Sequence, residues 1–155
     1  MVLNYLILWM MAKIYFCGSV RGGRELASSY RKIIRILEES AQVLTEHLGD
    51  DEAVSGKDAR LSDREIHERD LEWLKESDLV VAEVTIPSLG VGYEIGRAIE
   101  LGKPVLCLYR EREGKRLSAM IAGSPQVQVI QYDEIDYLNK KLKEFIIRHA
   151  PGRTS

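Results

Sequence analysis

Cysteine is scarce in this chain: two in 155 residues, Cys17 and Cys107. Each sits inside an apolar run with no C-x-x-C spacing, which excludes a disulfide framework and suits buried thiols in a reducing, cytoplasmic compartment. Histidine is scattered at His47, His67 and His149, and no pair has the spacing of a zinc or non-haem iron site, so no metal is expected. An excess of one charge is also missing. The balance of 22 basic and 24 acidic residues leaves a formal charge of −2, which gives no global field for a nucleic acid polymer or an anionic membrane. An anionic ligand must therefore be small and held locally. The apolar opening MVLNYLILWM is too short to span a bilayer and lacks both a basic n-region and a small-residue cleavage site. It reads as an extension over residues 1–10, ahead of one domain running from Met11 to about residue 150. No repeat, low-complexity tract or linker divides that domain, and 45% hydrophobic content supplies one core.

Two nucleotide fingerprints are absent as well. A dinucleotide site needs G-x-G-x-x-G after a strand; the two glycine turns here read GSVRGG and GVGYEIG, and neither matches. No G-x-x-x-x-G-K-[ST] loop occurs either. NAD and ATP are disfavoured, and no cofactor is expected.

What is present is an alternation. Apolar, β-branched runs at Lys13–Cys17, Gln42–Glu46, Leu79–Val84, Pro104–Tyr109 and Val127–Gln131 are separated by stretches of helical length. That pattern predicts an α/β fold: a doubly wound, five-stranded parallel sheet of flavodoxin or Rossmann-like type between helical layers. Tyr30, Ile33, Ile34 and Leu37 mark one face of a helix over Arg24–Glu39. Ser62-Asp63-Arg64-Glu65 reads as a capping box opening a helix, with Ile66, Leu71, Trp73 and Leu74 on or near its inner face. Gly102 and Pro104 end a third helix, and a fourth spans Asp133–His149. Leu48 to Leu61, polar and without periodicity, is expected to be a mobile loop on the ligand side.

In such a sheet, ligands bind beyond the carboxyl ends of the strands, where strand order reverses. Strand one runs into Gly18-Ser19-Val20-Arg21-Gly22-Gly23, strand two ends at Glu46-His47, and strand three runs into Ser88-Leu89-Gly90-Val91-Gly92. Glycines let backbone N–H groups approach a phosphate, and Arg21 offers a planar fork to its oxygens. Beside this lie two carboxylates. Asp70 falls inside the predicted helix IHERDLEWL, where a solvated-face residue is the ordinary reading. Glu94 falls in what reads as the first turn of the next helix, where the macrodipole alone favours an acid. Together they could act as a glycosidase pair, one attacking an anomeric carbon and one protonating the leaving group.

YFCGSVRGGRE, VLTEH, IHERDLEWLKESDLVVAEVTIPSLGVGYEIGRA and LSAMI resemble the 2′-deoxynucleoside 5′-monophosphate N-hydrolases, a branch of the nucleoside 2-deoxyribosyltransferase superfamily. The resemblance runs from Met11 to about Ile121. It implies hydrolysis of the N-glycosidic bond of a deoxynucleoside monophosphate, giving free base and 2-deoxyribose 5-phosphate, with no cofactor and with retention of configuration. It makes Glu94 the nucleophile, Asp70 the acid/base residue and Tyr15 the tyrosine that assists at sugar and nucleophile. Ser19, Arg21, Gly23, Ser88 and Gly90 match positions around the sugar and 5′-phosphate, with Gly22 and His47 beside them. Ser118 matches a serine reaching the phosphate from the other subunit of a homodimer. Purine preference would fit the resemblance, although the polar stretch GDDEAVSGKDARLSD holds no aromatic to stack a base. Three rivals stand beside it. A nucleoside 2-deoxyribosyltransferase would have no use for Arg21 and Ser118, and a nucleotide-sensing module would not need Glu94, Asp70 and Tyr15 together. A cytokinin-nucleotide phosphoribohydrolase would carry a PGGxGT-type motif, which this chain lacks.

Overall fold

Period-two alternation decides the architecture. In β1 (Lys13–Gly18), Ile14 and Phe16 point to one side while Tyr15 and Cys17 point to the other, and all four are buried. A strand buried on both faces belongs in the middle of a covered parallel sheet. In the computed structural model, which describes residues 11–20, 26–49 and 60–151, β1 has that place. Its neighbours are β2 (Gln42–Val43) on one side and β3 (Leu79–Glu83) on the other, followed by β4 (Val105–Tyr109) and β5 (Val127–Gln131). All pairings are parallel and the order is β2-β1-β3-β4-β5. This is the expected flavodoxin-like order. The chain winds outward from β1 in both directions, so a crevice opens beyond the ends of β1 and β3.

Helices cover both faces. On one lie α1 (Ala27–Glu38) and, near the chain end, the helix Leu138–His149; their Ile33, Leu37, Leu142 and Phe145 pack on Ile14, Phe16, Val81 and Leu106. On the other lie α2 (Asp63–Glu76) and α3 (Leu89–Glu100), whose Leu74, Ile95 and Ala98 pack on Tyr15, Cys17, Val80 and Ala82. A short α4 (Ala119–Ala122) precedes β5, and Leu138–His149 is α5. Full burial of each Leu or Ile contributes about 1.5–3 kcal/mol, so this two-sided core holds the strand ends rigidly in place. Ser62 caps α2 in the expected reciprocal box with Glu65, and Gly102 leaves α3 at φ +69°, the left-handed conformation that suits glycine. No helix among the described residues is long and apolar enough to cross a membrane.

Three expectations are corrected. The second strand stops at Val43 instead of Glu46. Leu44 N–H still reaches Ile14 C=O, but the Thr45 hydroxyl then takes both Phe16 groups, accepting its N–H at 3.0 Å and donating to its C=O at 2.6 Å. That side chain replaces the backbone ladder, and Glu46–Gly49 turns as a 3₁₀ helix. The last helix opens with a 3₁₀ turn at Ile135–Tyr137, so its α-helical part begins at Leu138 and not at Asp133. Glu94 is the sixth residue of α3, because Ser88 caps the helix and Gly90 and Gly92 lie inside it. The extension 1–10, residues 24–25 of the first helix and residues 50–59 of the polar loop lie outside the described residues.

Candidate active site

A carboxylate in a first helical turn is explained by the macrodipole; one in the second turn is not. Glu94 is held there by something else. Tyr15, pointing from β1 toward the α2/α3 face, donates its phenolic O–H to Glu94 Oε1 at 2.6 Å. Cys17, two residues along the same strand and therefore on the same face, sets its thiol beside the carboxylate. Burial pushes the Glu94 carboxyl up to about 7, the Asp70 charge adds to this, and the hydrogen bond from Tyr15 and the Cys17 thiol pull the other way. Burial and then the Glu94 charge drive the Tyr15 phenol well upward, so it remains a donor. The Cys17 thiol is likewise raised far above its usual range, first by burial, which makes it a poor nucleophile.

Asp70 reaches the same place from α2. It is the eighth residue of that helix, half-buried, and its Oδ1 accepts from Arg69 Nε at 3.0 Å and Nη2 at 2.8 Å. The Arg69 guanidinium lies over the Trp73 ring, 4.7 Å from its centroid, and the His47 ring meets Trp73 at 5.4 Å. Arginine, indole and imidazole thus pack together beside the acid, the imidazole tilted at 47° to the indole.

Tyr15, Cys17, His47, Arg69, Asp70 and Glu94 line one cavity of about 780 Å³ at the carboxyl ends of β1 and β3. Of the residues singled out in the sequence, it brings together Tyr15, Ser19, His47, Asp70, Ser88, Gly90 and Glu94. Ser88 Oγ accepts from Val91 N–H at 3.4 Å, which turns the N-terminus of α3 toward the cavity wall. Arg21, Gly22 and Gly23 lie outside the described residues. Ser118 does not line this cavity. It stands at the start of α4 in an adjoining apolar groove of about 380 Å³, which shares Pro87, Ser88, Leu89 and Val91 with the first. Leu89 and Met120, at 97% and 82% exposure, stand on that groove as apolar side chains turned to solvent.

Sequence reasoning missed Cys17, Arg69 and Trp73. Cys17 reads in the sequence as a buried structural thiol, yet its spacing from Tyr15 is enough to place both on one face of β1. Arg69 and Trp73 are four apart on α2 and so meet on one helix face, but nothing local tells that this face meets His47, which depends on where β2 ends. Among the described residues, no three His, Cys, Asp or Glu side chains are gathered to hold a metal ion.

The fold resembles those of solved structures. A CMP N-glycosidase from Clostridium botulinum superposes with a TM-score of 0.59 at 22% identity, covering 86% of this chain and 98% of its own. A 2-deoxyribosyltransferase from Bacillus psychrosaccharolyticus superposes with a TM-score of 0.57 at 21% identity, covering 84% and 96%. At that identity the likeness is one of fold. Sequence similarity goes further. The human 5-hydroxymethyl-dUMP N-hydrolase is 52% identical over 146 residues, 92% of this chain and 83% of the relative. The mouse 5-hydroxymethyl-dUMP N-hydrolase is 49% identical over 137 residues, 88% of this chain and 78% of the relative. The family model described as nucleoside 2-deoxyribosyltransferase matches residues 14–129. With three quarters of its length inside that match, the chain belongs to the nucleoside 2-deoxyribosyltransferase family.

Proposed function

We propose that this protein hydrolyses the N-glycosidic bond of a 2′-deoxynucleoside 5′-monophosphate, releasing the base and 2-deoxyribose 5-phosphate. The observation that carries the reading is the part-buried Tyr15–Glu94 contact facing a cavity that Asp70 shares. A 2-deoxy sugar lacks the electron-withdrawing 2′-hydroxyl, so its oxocarbenium-like transition state is within reach of two carboxylates. Glu94 attacks C1′ as the C1′–N bond breaks, and Asp70 gives its proton to the departing base. Water then attacks C1′, Asp70 takes the water proton, and Glu94 leaves with configuration retained. The Tyr15 O–H steadies the Glu94 oxygen as it departs and shields the carboxylate from closer solvation.

The phosphate lies toward Ser19, Ser88 and the N-terminus of α3 at Gly90, with Arg21, Gly22 and Gly23 contributing from the first turn. Held there, it directs binding energy from a remote group toward alignment of C1′ with Glu94. His47, packed against Trp73, borders the base. The curated relatives are named for 5-hydroxymethyl-dUMP, which favours a 5-substituted pyrimidine over the purine that the resemblance alone suggested. The exposed Leu89 and Met120 beside Ser118 support a homodimer in which Ser118 serves the neighbouring cavity. The compartment that suits its buried thiols is the cytoplasm.

The test is a chromatographic assay with 5-hydroxymethyl-dUMP, dGMP, deoxyguanosine and GMP in parallel, with and without a second free base. Base and 2-deoxyribose 5-phosphate from a deoxynucleotide, with little turnover of GMP or the nucleoside, is the expected result. Base exchange on deoxyguanosine would move the assignment to a transferase. Binding without turnover across the panel would make the protein a sensor.

A further inference from the structure

A second glutamate lies near the same end of the sheet and takes no part in that chemistry. Glu83 ends β3, is fully buried, and by strand alternation faces α1 and α5, away from Glu94. Elsewhere on β3 the buried positions Leu79, Val80, Val81 and Ala82 are apolar. A carboxylate at the fifth is costly unless donors surround it. They do. Tyr132 O–H donates to Oε1 at 3.1 Å, the Thr85 hydroxyl donates to the same oxygen, and Thr85 N–H donates to Oε2 at 3.3 Å. Thr85 Oγ1 in turn accepts Arg110 N–H at 2.9 Å, which leaves the hydroxyl proton aimed at Glu83. The Arg110 guanidinium covers the Tyr132 ring at 4.9 Å, and its positive charge acts against the desolvation that raises the Glu83 carboxyl.

The network joins two segments that reach the cavity. Thr85 begins the turn that leads to Ser88 and the N-terminus of α3. Across the sheet, Glu83 is in register with Gly18, one residue before Ser19. Tyr30 lies against that point. Its hydroxyl donates to Ser19 C=O at 3.4 Å, and a Cβ on Gly18 would come within 2.7 Å of its ring. The Glu83 charge also reaches the Tyr30 phenol.

We infer that Glu83 is a positioning residue for the phosphate end of the site: through Thr85 it fixes the turn carrying Ser88, and beside Tyr30 it backs the turn carrying Ser19. The inference rests on the reading that places phosphate between those two serines. Glu83 touches no substrate. Its loss is felt by the group those turns bind, while the Tyr15–Glu94 contact on the other face stays in place.

The experiment compares Glu83→Gln with wild type on a deoxynucleoside 5′-monophosphate and on the matching unphosphorylated deoxynucleoside, together with inhibition by 2-deoxyribose 5-phosphate. Gln keeps the volume but sets an NH₂ among donors. Expected is about a tenfold or greater rise in KM for the monophosphate and weaker inhibition by the sugar phosphate, with kcat changed less. Turnover of the deoxynucleoside stays within about twofold. A merely structural role would lower thermal stability and depress both substrates alike, and that result overturns the inference, as does unchanged inhibition by the sugar phosphate. Should Glu83→Gln not fold, Thr85→Val removes the hydroxyl link at nearly constant volume and is held to the same comparison. A wild-type enzyme with no preference for the monophosphate would instead remove the phosphate reading itself.

Discussion

Glu83 and Glu94 lie at the same edge of one sheet, on opposite faces, and their surroundings differ in kind. Glu83 is closed off, with both oxygens taken by Thr85 and Tyr132. Glu94 opens onto a large cavity, with the Tyr15 phenol on Oε1 and the Cys17 thiol beside it. A carboxylate whose lone pairs are all engaged holds structure. One that is desolvated but only partly engaged keeps an oxygen for an incoming electrophile, and its raised proton affinity makes it more nucleophilic once ionised. Location at the carboxyl end of the sheet does not separate these two environments; the count of donors and the access to a cavity do.

The contrast breaks most completely at Glu94. Glu94→Ala should lower base release by about 10³-fold or more while nucleotide binding persists, measured by single-turnover assay beside direct binding. Next is Asp70. Asp70→Asn keeps the shape but neither gives nor takes the proton, so kcat should fall by about 10²–10⁴-fold, with the smaller loss on substrates whose base leaves without protonation. Tyr15→Phe removes one charge-assisted hydrogen bond of about 1.5–3 kcal/mol, and kcat/KM should fall by about 10–100-fold.

The pH dependence sharpens the comparison. As the proposed nucleophile Glu94 must be ionised to attack, and its carboxyl is pushed up to about 7, so kcat/KM should fall as pH drops below that value. Stability runs the other way. A carboxyl that holds its proton more tightly folded than unfolded stabilises the fold below the ordinary carboxylate range, and that contribution is lost as pH rises through about 7. Glu94→Gln should therefore unfold at a higher temperature than wild type at pH 8, with the difference shrinking toward pH 5 in calorimetry. The smallest expected effect is at Ser118. Ser118→Ala should raise KM for the monophosphate only about 3–10-fold, the scale of one hydrogen bond, without changing kcat or fold.

Much of this was readable beforehand because it depends on local chemistry. Apolar β-branched runs marked the strands, Ser62 and Glu65 announced a helix start, and Gly102 its end, each through neighbours a few residues away. What was not readable depended on distant partners. Thr45 ends β2 by bonding a strand that lies far away in sequence, and no periodicity reports that. Glu94 looked like a first-turn acid because the glycines before it suggest a loop; Ser88 capping shows that they are helical. Glu83 disappeared inside LVVAEV, where a lone acid in an apolar strand was the one available sign that something on the far face required it.

The most direct measurement is the stereochemistry of methanolysis. With methanol competing for water, a β-configured deoxynucleoside monophosphate should yield methyl 2-deoxyriboside 5-phosphate, whose anomers do not interconvert and are resolved by NMR. Attack by Glu94 followed by displacement from the opposite face predicts the β-anomer. The α-anomer would mean that solvent strikes C1′ directly, and Glu94 would then be a base and not the nucleophile.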